Sequence, residues 1–386
     1  MGIQGLNKLL GDYAPNCVKP YKFEAYFGRK IAIDASMHIY QFMVSVGRVG
    51  DQLLTNESGE VTSHLQGLFY RTCRMLENGI IPVYVFDGKP PQLKFDELAK
   101  RLDRRTDATS ELERAKEVGD TEAIEKYSKR TTKVTRENTN DCMKLLQLMG
   151  VPIVQAPSEA EAQCSQMCKD GLVYGISSED MDSLTFGCPR LIRYFMTPAS
   201  LKQDCMEYSY DEVLAGLGLT SAQFIDLCIL CGCDYMSSIR GIGPVKALNM
   251  IKKEGSLEDV IAKLDKSKYP VPDPFPYEEA RKLFSHPDVL TKDQLNDGKP
   301  FKRSPPDIEG VVDFLVKEKN FNEERVRKSM AKVDESFGKA QQGRLESFFG
   351  TATVKKSTLG AKRQEEKAKG KSQGVKKRMG GVGRKK

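Results

Sequence analysis

Five short runs of β-branched and aromatic residues punctuate the chain: KIAIDA (30–35), IPVYVF (81–86), VPIVQA (151–156), LVYGIS (172–177) and LIRYF (191–195). Each has strand length, and the second is a near-continuous apolar run of the kind that is buried on both faces. Stretches with helical spacing lie between them. MGIQGLNKLL reads as a short amphipathic helix, and another follows KIAIDA through MHIYQF. TSHLQGLFYRTCRMLENGI spaces its apolar residues as a helix does and stops at Gly79. TNDCMKLLQLMG precedes VPIVQA, and SEAEAQC follows it, with Pro157 and Ser158 as a helix start and Ser158 as the expected N-cap. The run from Met206 to Tyr235 carries a buried helix, 307–336 reads as two closing helices, and Asn56–Glu60 reads as a hairpin turn.

Acids recur where strands end. Asp34 closes KIAIDA and Asp87 closes IPVYVF. In open parallel sheets ligands bind beyond the carboxyl ends of the strands, although Asp34 equally suits a helix cap. Residues 157–182 then bring Glu159 with Glu161 and Asp180 with Asp182. Carboxylates repel unless a cation sits among them, and a group of oxygen ligands suits a hard divalent cation such as magnesium. On a helix, residues i and i+2 stand roughly 200° apart, so Glu159 and Glu161 are not expected to serve one ion equally. Asp180 and Asp182 share a side if the backbone there is extended.

Residues 92–137 are helix-prone and highly charged, with few large apolar residues. Lys94, Arg101, Arg104 and Arg105 recur at near-helical spacing. A solvated helical hairpin and a mobile lid with a basic face toward phosphate both fit this pattern. The turn RGIGP, with Gly241 and Gly243 before Pro244 and Lys246, presents backbone N–H groups at a helix start, as phosphate-binding turns do. Asp234 stands seven residues before Gly241. Residues 268–310 are proline-rich connections. Gln342, Leu345, Phe348 and Phe349 form a QxxLxxFF pattern in a polar setting, as docking peptides do.

Charge sharpens the picture. The chain of 386 residues carries a net +7, but 351–386 alone hold thirteen Lys/Arg and two Glu, so the remainder stands at −4. A basic low-complexity tail on a mildly acidic body fits a nuclear or nucleic-acid-associated protein. No apolar run reaches the roughly 20 residues of a membrane span, and no membrane role is expected. The ten cysteines read as free thiols. Cys228, Cys231 and Cys233 cluster, but with no second cluster they read as buried thiols and not as a zinc site.

The motifs MGIQGLNKLL, KIAIDASMHIYQF, PVYVFDGKPPQLK, APSEAEAQC, SSEDMDSLTFG, GCDYMSSIRGIGP and QGRLESFF, in that order, resemble the eukaryotic flap endonuclease family of 5′ nucleases, XPG/RAD2-like, from Met1 to about Phe349. The resemblance implies an α/β fold: a mostly parallel twisted sheet with helices on both faces (PIN-like), a helical arch and a helix-two-turn-helix DNA element. The division it implies is a nuclease region at 1–106, the arch at 92–137, and a second nuclease region at 123–254 with the helix-two-turn-helix near 222–254. C-terminal helices at 255–336, a clamp-binding peptide at 337–349 and a basic tail at 350–386 complete it. The implied metal acids are Asp34, Asp87, Glu159, Glu161, Asp180, Asp182 and Asp234, holding two Mg²⁺ with Mn²⁺ as a substitute. Lys94 and Arg101 match cations that contact the scissile phosphate, and Asp182 joins them as catalytic. Tyr40 matches a base-stacking aromatic. Arg48, Arg71, Glu159, Gly232, Asp234, Gly241 and Gly243 match DNA contacts, and the Ser238–Gly243 turn matches a potassium site. The partners implied are branched DNA with 5′ flaps and the sliding clamp (proliferating cell nuclear antigen), bound through Gln342, Leu345, Phe348 and Phe349.

The expected activity is flap cutting with 5′-to-3′ exonuclease action in replication and base excision repair. The expected location is the nucleus, in nucleolus and nucleoplasm, with a possible mitochondrial share. The family often has Ser where this chain has Cys188, which leaves a regulatory phosphorylation at that position unsupported. A non-catalytic junction scaffold would have lost several of the acids, and a magnesium phosphatase would leave the arch, the glycine turn and the tail without a use.

Overall fold

The computed structural model describes residues 2–45 and 62–338. Arg48, the Asn56–Glu60 turn, the QxxLxxFF residues and the basic tail lie outside the described residues. Seven strands form one sheet: β1 (Val18–Tyr21), β2 (Lys30–Asp34), β3 (Ile81–Phe86), β4 (Ile153–Gln155), β5 (Gly175–Ser177), β6 (Arg190–Arg193) and β7 (Cys205–Ser209). Their order is β1-β7-β6-β5-β2-β3-β4. The pairs among β6, β5, β2, β3 and β4 are parallel, whereas β7 runs antiparallel to both β6 and β1.

The five expected runs all form strands. LIRYF stops at Arg193 because Tyr194 takes a left-handed conformation (φ 59°). Neither β1 nor β7 is evident from pattern. VKPY carries Pro20, which only an edge strand tolerates, and CMEYS lies inside what reads as a helical run. The helices of that run start later and number two, split at Gly218 (φ 64°).

The helices that matter here are α1 (Leu6–Tyr13), α2 (Ala35–Ser45), α3 (Ser63–Glu77), α4 (Phe95–Val118), α5 (Thr121–Thr131), α6 (Arg136–Leu148), α7 (Ala160–Lys169), α8 (Asp182–Thr185), α9 (Tyr210–Leu217), α10 (Ser221–Cys231) and α11 (Pro244–Glu254). The period-two alternation of the strands sorts the core into two layers. Ile31, Ile33, Tyr84 and Phe86 pack with residues of α2, α3 and α6. Ala32, Val83, Val85 and Ile176 pack with residues of α1, α7, α10 and α11. The doubly covered sheet is thus the α/β architecture that the motifs imply.

Chain order makes the site. From β2 the chain steps to β3 and β4 on one side, then jumps back across β2 to β5 on the other. The carboxyl ends of β2, β3 and β5 flank this reversal, where open α/β sheets form their crevice. The charged 92–137 stretch forms a hairpin of α4 and α5, closed by Gly119 (φ 73°) and capped by Asp120, which accepts from the Ala123 N–H at 3.0 Å. Within α4 only Ala108 and Ala115 are buried.

One glycine fixes the end of β3 to the approach to α7. Gly88 N donates to Ser158 O at 2.6 Å and Lys89 N to Pro157 O at 3.1 Å. A Cβ at Gly88 would collide with the carbonyl oxygens of Ala156 and Pro157, which are backbone and do not swing aside. Gly88→Ala is therefore expected to cost about 1–3 kcal/mol in a urea titration. Gly11→Ala on the open side of α1, where a Cβ meets nothing within 4 Å, should be neutral or stabilising. Equal midpoints for the two variants would contradict the lock at Gly88.

Candidate active site

Asp34 is the last residue of β2 and is buried. One of its oxygens accepts from the Met37 N–H at 3.1 Å and the other from Ser178 Oγ at 3.0 Å. It caps α2 and stands in the acid cluster, so both readings of this residue hold. Asp87 follows β3, and its Oδ1 accepts from the Ala160 N–H at 2.8 Å. The cap of α7 is thus Asp87, delivered from another strand, and not Ser158, whose carbonyl is taken by Gly88. Glu159 takes the N-cap position with an extended backbone (φ −87°, ψ 135°) and makes no capping bond with its side chain.

Asp180 follows β5 through irregular backbone, and Asp182 begins the single-turn α8. The extended backbone expected there is absent. Asp180 instead accepts from the Asp182 N–H at 3.1 Å, and this turn brings the two carboxylates together. Oxygens of Glu161, Asp180 and Asp182 all lie within 4.8 Å of one another.

This cluster is electrostatically costly. Burial, and then the neighbouring Asp87, push the Asp34 carboxyl up to about 7. Burial followed by Asp180 holds Glu161 and Asp182 well above the usual carboxylate range. Asp180 is raised as well, first by burial and then by Asp234. Asp182 Oδ1 is buried with no hydrogen-bond partner among the described residues. Close-set oxygen donors, one of them buried and unsatisfied, fit a hard divalent cation. Gly2 (φ 72°) closes over them, and a Cβ there would overlap Asp180 Oδ1.

Two cations face the acids. Lys94 Nζ contacts Glu159 Oε1 and lies 3.4 Å from Asp234 Oδ2. Arg101 Nη2 lies 2.6 Å from the same Asp234 oxygen, and its Nε lies 3.2 Å from Glu97. Burial would pull the Lys94 ammonium down, but Glu161, Glu159 and Asp234 reverse this and hold it above its usual value. Tyr235 OH donates to the second oxygen of Glu159. Glu159 therefore contacts Lys94 and Tyr235, while Glu161 joins the aspartates; the division expected of the two glutamates holds, but its cause is the extended backbone of Glu159 outside α7 and not a helical angle. The cleft above measures about 1150 Å³, and the hairpin of α4 and α5 lines it with Arg104, Arg105, Tyr127 and Arg130.

Comparison with known proteins accords with this geometry. The XPG N-terminal domain matches residues 1–108 and the XPG I-region residues 150–234. Flap endonuclease 1 of Chlamydomonas reinhardtii is 61% identical over 349 residues, covering 90% of this chain and 87% of that protein. The chain belongs to the flap endonuclease 1 family. The flap endonuclease 1 of Zea mays is 54% identical over 381 residues and covers 99% of both chains. Among solved structures, flap endonuclease-1 from Methanococcus jannaschii superposes with a TM-score of 0.65 at 34% identity, over 85% of this chain and 98% of that one. The catalytic core of Rad2 in complex with DNA substrate gives 0.66 at 26% identity, over 86% and 100%. The chain is thus a structure-specific nuclease of the flap endonuclease family, with its PIN-like fold.

Not every family position gathers at the cleft. Tyr40, Gly232 and Asp234 line it with Asp34, Asp87 and Asp180. Arg71 stands away from it, its Nε donating to Met196 O at 2.6 Å and its guanidinium lying 4.7 Å over the Phe42 ring. Gly241 (φ 85°) and Gly243 form a separate turn at the start of α11, where Lys246 Nζ donates to Gly241 O at 2.9 Å. Tyr235, Gly2 and Ser178 are site residues that no sequence motif singles out. Tyr235 follows Asp234 directly, and a phenol beside a site acid was the available signal.

The raised carboxyls fix a pH dependence. Native Asp34 keeps a proton to about 7 that the unfolded chain releases near 3.8. Its contribution to stability is therefore complete below the lower value and is lost as pH rises through the upper one. Glu161, Asp180 and Asp182 act in the same direction. In EDTA the melting temperature should fall between about pH 5.5 and 8. Magnesium should raise it more at pH 8, where cations need not displace protons. An increment from magnesium no larger at pH 8 than at 5.5 would refute the assignment of the cluster.

Proposed function

We propose that this nuclease cuts DNA where a 5′ single strand leaves a duplex, and trims 5′ ends exonucleolytically, with two Mg²⁺ (or Mn²⁺) held by Asp34, Asp87, Glu159, Glu161, Asp180, Asp182 and Asp234. The supporting observation is the trio of half-buried Glu161 and buried Asp180 and Asp182, with an unsatisfied Asp182 oxygen, facing Lys94 and Arg101 across one cleft. Bound divalent ions supply Lewis-acid activation of water and of the leaving 3′ oxygen.

The protein's own groups do the rest. Lys94 and Arg101 rest on Glu159 and Asp234 until a phosphodiester competes for them, and then offset the charge that grows on it. Arg104, Arg105 and Arg130 draw a single strand beneath the hairpin. Tyr40 stacks on a base at the junction. The turn with Gly241 and Gly243 offers N–H groups to duplex phosphate, with K⁺ bound there, and Arg48, Arg71 and Gly232 add backbone contacts. Specificity then follows from shape rather than base edges, and affinity falls steeply with salt.

The same reading assigns Gln342, Leu345, Phe348 and Phe349 to a sliding clamp, and places the enzyme in Okazaki fragment maturation and base excision repair, in the nucleus with a mitochondrial share. A phosphatase reading leaves the hairpin and the glycine turn unemployed.

On end-labelled flap DNA, Asp182→Ala should abolish cutting in Mg²⁺ while retaining measurable binding, and Lys94→Ala should lower kcat by roughly 10²–10³-fold. Turnover by Asp182→Ala would contradict the metal assignment, and Li⁺ in place of K⁺ in the same assay tests the glycine turn. Phe348→Ala with Phe349→Ala should abolish capture on clamp-coated resin. Removal of 350–386 should disperse a fluorescent fusion from the nucleus. Unchanged capture and unchanged distribution would count against the two assignments respectively.

A further inference from the structure

Two aromatic side chains are found among the described residues that line the cleft, and the reaction as proposed draws on one of them. Tyr40 comes from α2 on the body, and Tyr127 comes from α5 on the hairpin. Tyr127 belongs to neither layer of the core. It is half-buried beside Ser128, which is the buried residue of α5. Across the hairpin the buried positions of α4 are Ala108 and Ala115. Small residues thus fill the interior of the hairpin, and its packing does not account for the Tyr127 ring.

The neighbours of that ring are cations. Lys126 Nζ lies 5.1 Å and the Arg130 guanidinium 5.9 Å from its centroid, and both side chains are exposed. Arg130 lines the cleft with Arg104 and Arg105 of α4. The same wall carries Asp107 and Glu111, so attraction for phosphate along it is interrupted by repulsion.

We propose that the Tyr127 ring stacks on an unpaired base of the 5′ strand beneath the hairpin, so that flap binding depends on a base being present and unpaired at that point. This rests on the strand path proposed above. An aromatic face beside Arg and Lys is the combination that holds single strands without sequence preference. The magnitudes favour the exchange. An exposed cation over a ring gains roughly 2- to 5-fold in affinity, whereas a base stacked on an aromatic side chain gains roughly 5- to 150-fold. Lys126 and Arg130 are long and exposed, so each can leave the ring for a flanking phosphate as the base takes its place. One nucleotide then satisfies both the ring and the charges around it.

The contact selects without reading sequence. Every base has a face to offer. A base inside a duplex has both faces covered by its neighbours, and a sugar without a base offers none. Tyr127 therefore favours a single strand over a duplex, whichever base it meets. With Tyr40 stacked at the junction, the two rings hold the strand at separate points, one on the body and one on the hairpin.

The test uses the full-length protein in Mg²⁺ and end-labelled flap DNA that carries one abasic (tetrahydrofuran) residue at successive flap positions beyond the junction nucleotide. For the native protein KM should rise about fivefold or more when the gap falls at one or two adjacent positions, and little elsewhere. Tyr127→Phe keeps the ring and should keep this profile. Tyr127→Ala and Tyr127→Leu should raise KM on the intact flap by a similar factor, more than they lower kcat, and should flatten the profile. Should Tyr127→Ala unfold the hairpin, Tyr127→Leu and the native profile still decide. A flat native profile, an unchanged profile in Tyr127→Leu or a flat one in Tyr127→Phe would each overturn the proposal and leave flap cutting standing. An intact flap that the native protein does not cut would overturn the strand path and this contact together.

Discussion

Mutual repulsion among buried carboxylates is the constraint on which this structure turns. Asp34, Asp180 and Asp182 are buried, Glu161 is half-buried, and each is driven toward its neutral form. A fold does not tolerate such a group without rigid support and an opposite charge. The sheet supplies the support, because the strand reversal about β2 places three strand ends side by side. Helix starts supply more, since Asp34 and Asp87 accept from first-turn amides of α2 and α7, those of Met37 and Ala160. The protein's own opposite charges, Lys94 and Arg101, arrive from the charged hairpin.

That arrangement links the hairpin to the acids without a shared hydrophobic core. Helix α4 buries almost nothing, so its root is held largely by ion pairs that phosphate can compete for. The same two side chains bridge hairpin to body and stand where a phosphodiester would need them. Glu159, divided between Lys94 and Tyr235, is the pivot of this exchange.

Much of this was legible in the chain. The strands ending in Asp34 and Asp87 declare themselves because the same placement of a carboxylate after a buried apolar run occurs twice, although a helix cap accounts for either one alone. The different partners of Glu159 and Glu161 are as expected, although Glu159 owes its direction to an extended N-cap backbone and not to a place on the helix. What stayed hidden depended on contacts distant in sequence. The cap of α7 comes from Asp87, 73 residues away, whereas the local pattern points to Ser158. Strand β1 with its Pro20 gains strand character only through β7, which in turn needs β6. Asp180 and Asp182 meet through a turn closed by the Asp182 N–H on Asp180, which has no period to read. Gly2 reads as an ordinary glycine until the fold lays it across the aspartates.

The bond from Asp87 to the Ala160 amide carries one more consequence. It occupies a single carboxylate oxygen and needs no ion to form. Strand end, helix start and Glu161 are thus fastened to one another as the chain folds. The loss of freedom that a cation would otherwise impose on its ligands has already been met, and what a cation encounters is a socket rather than a set of loose arms.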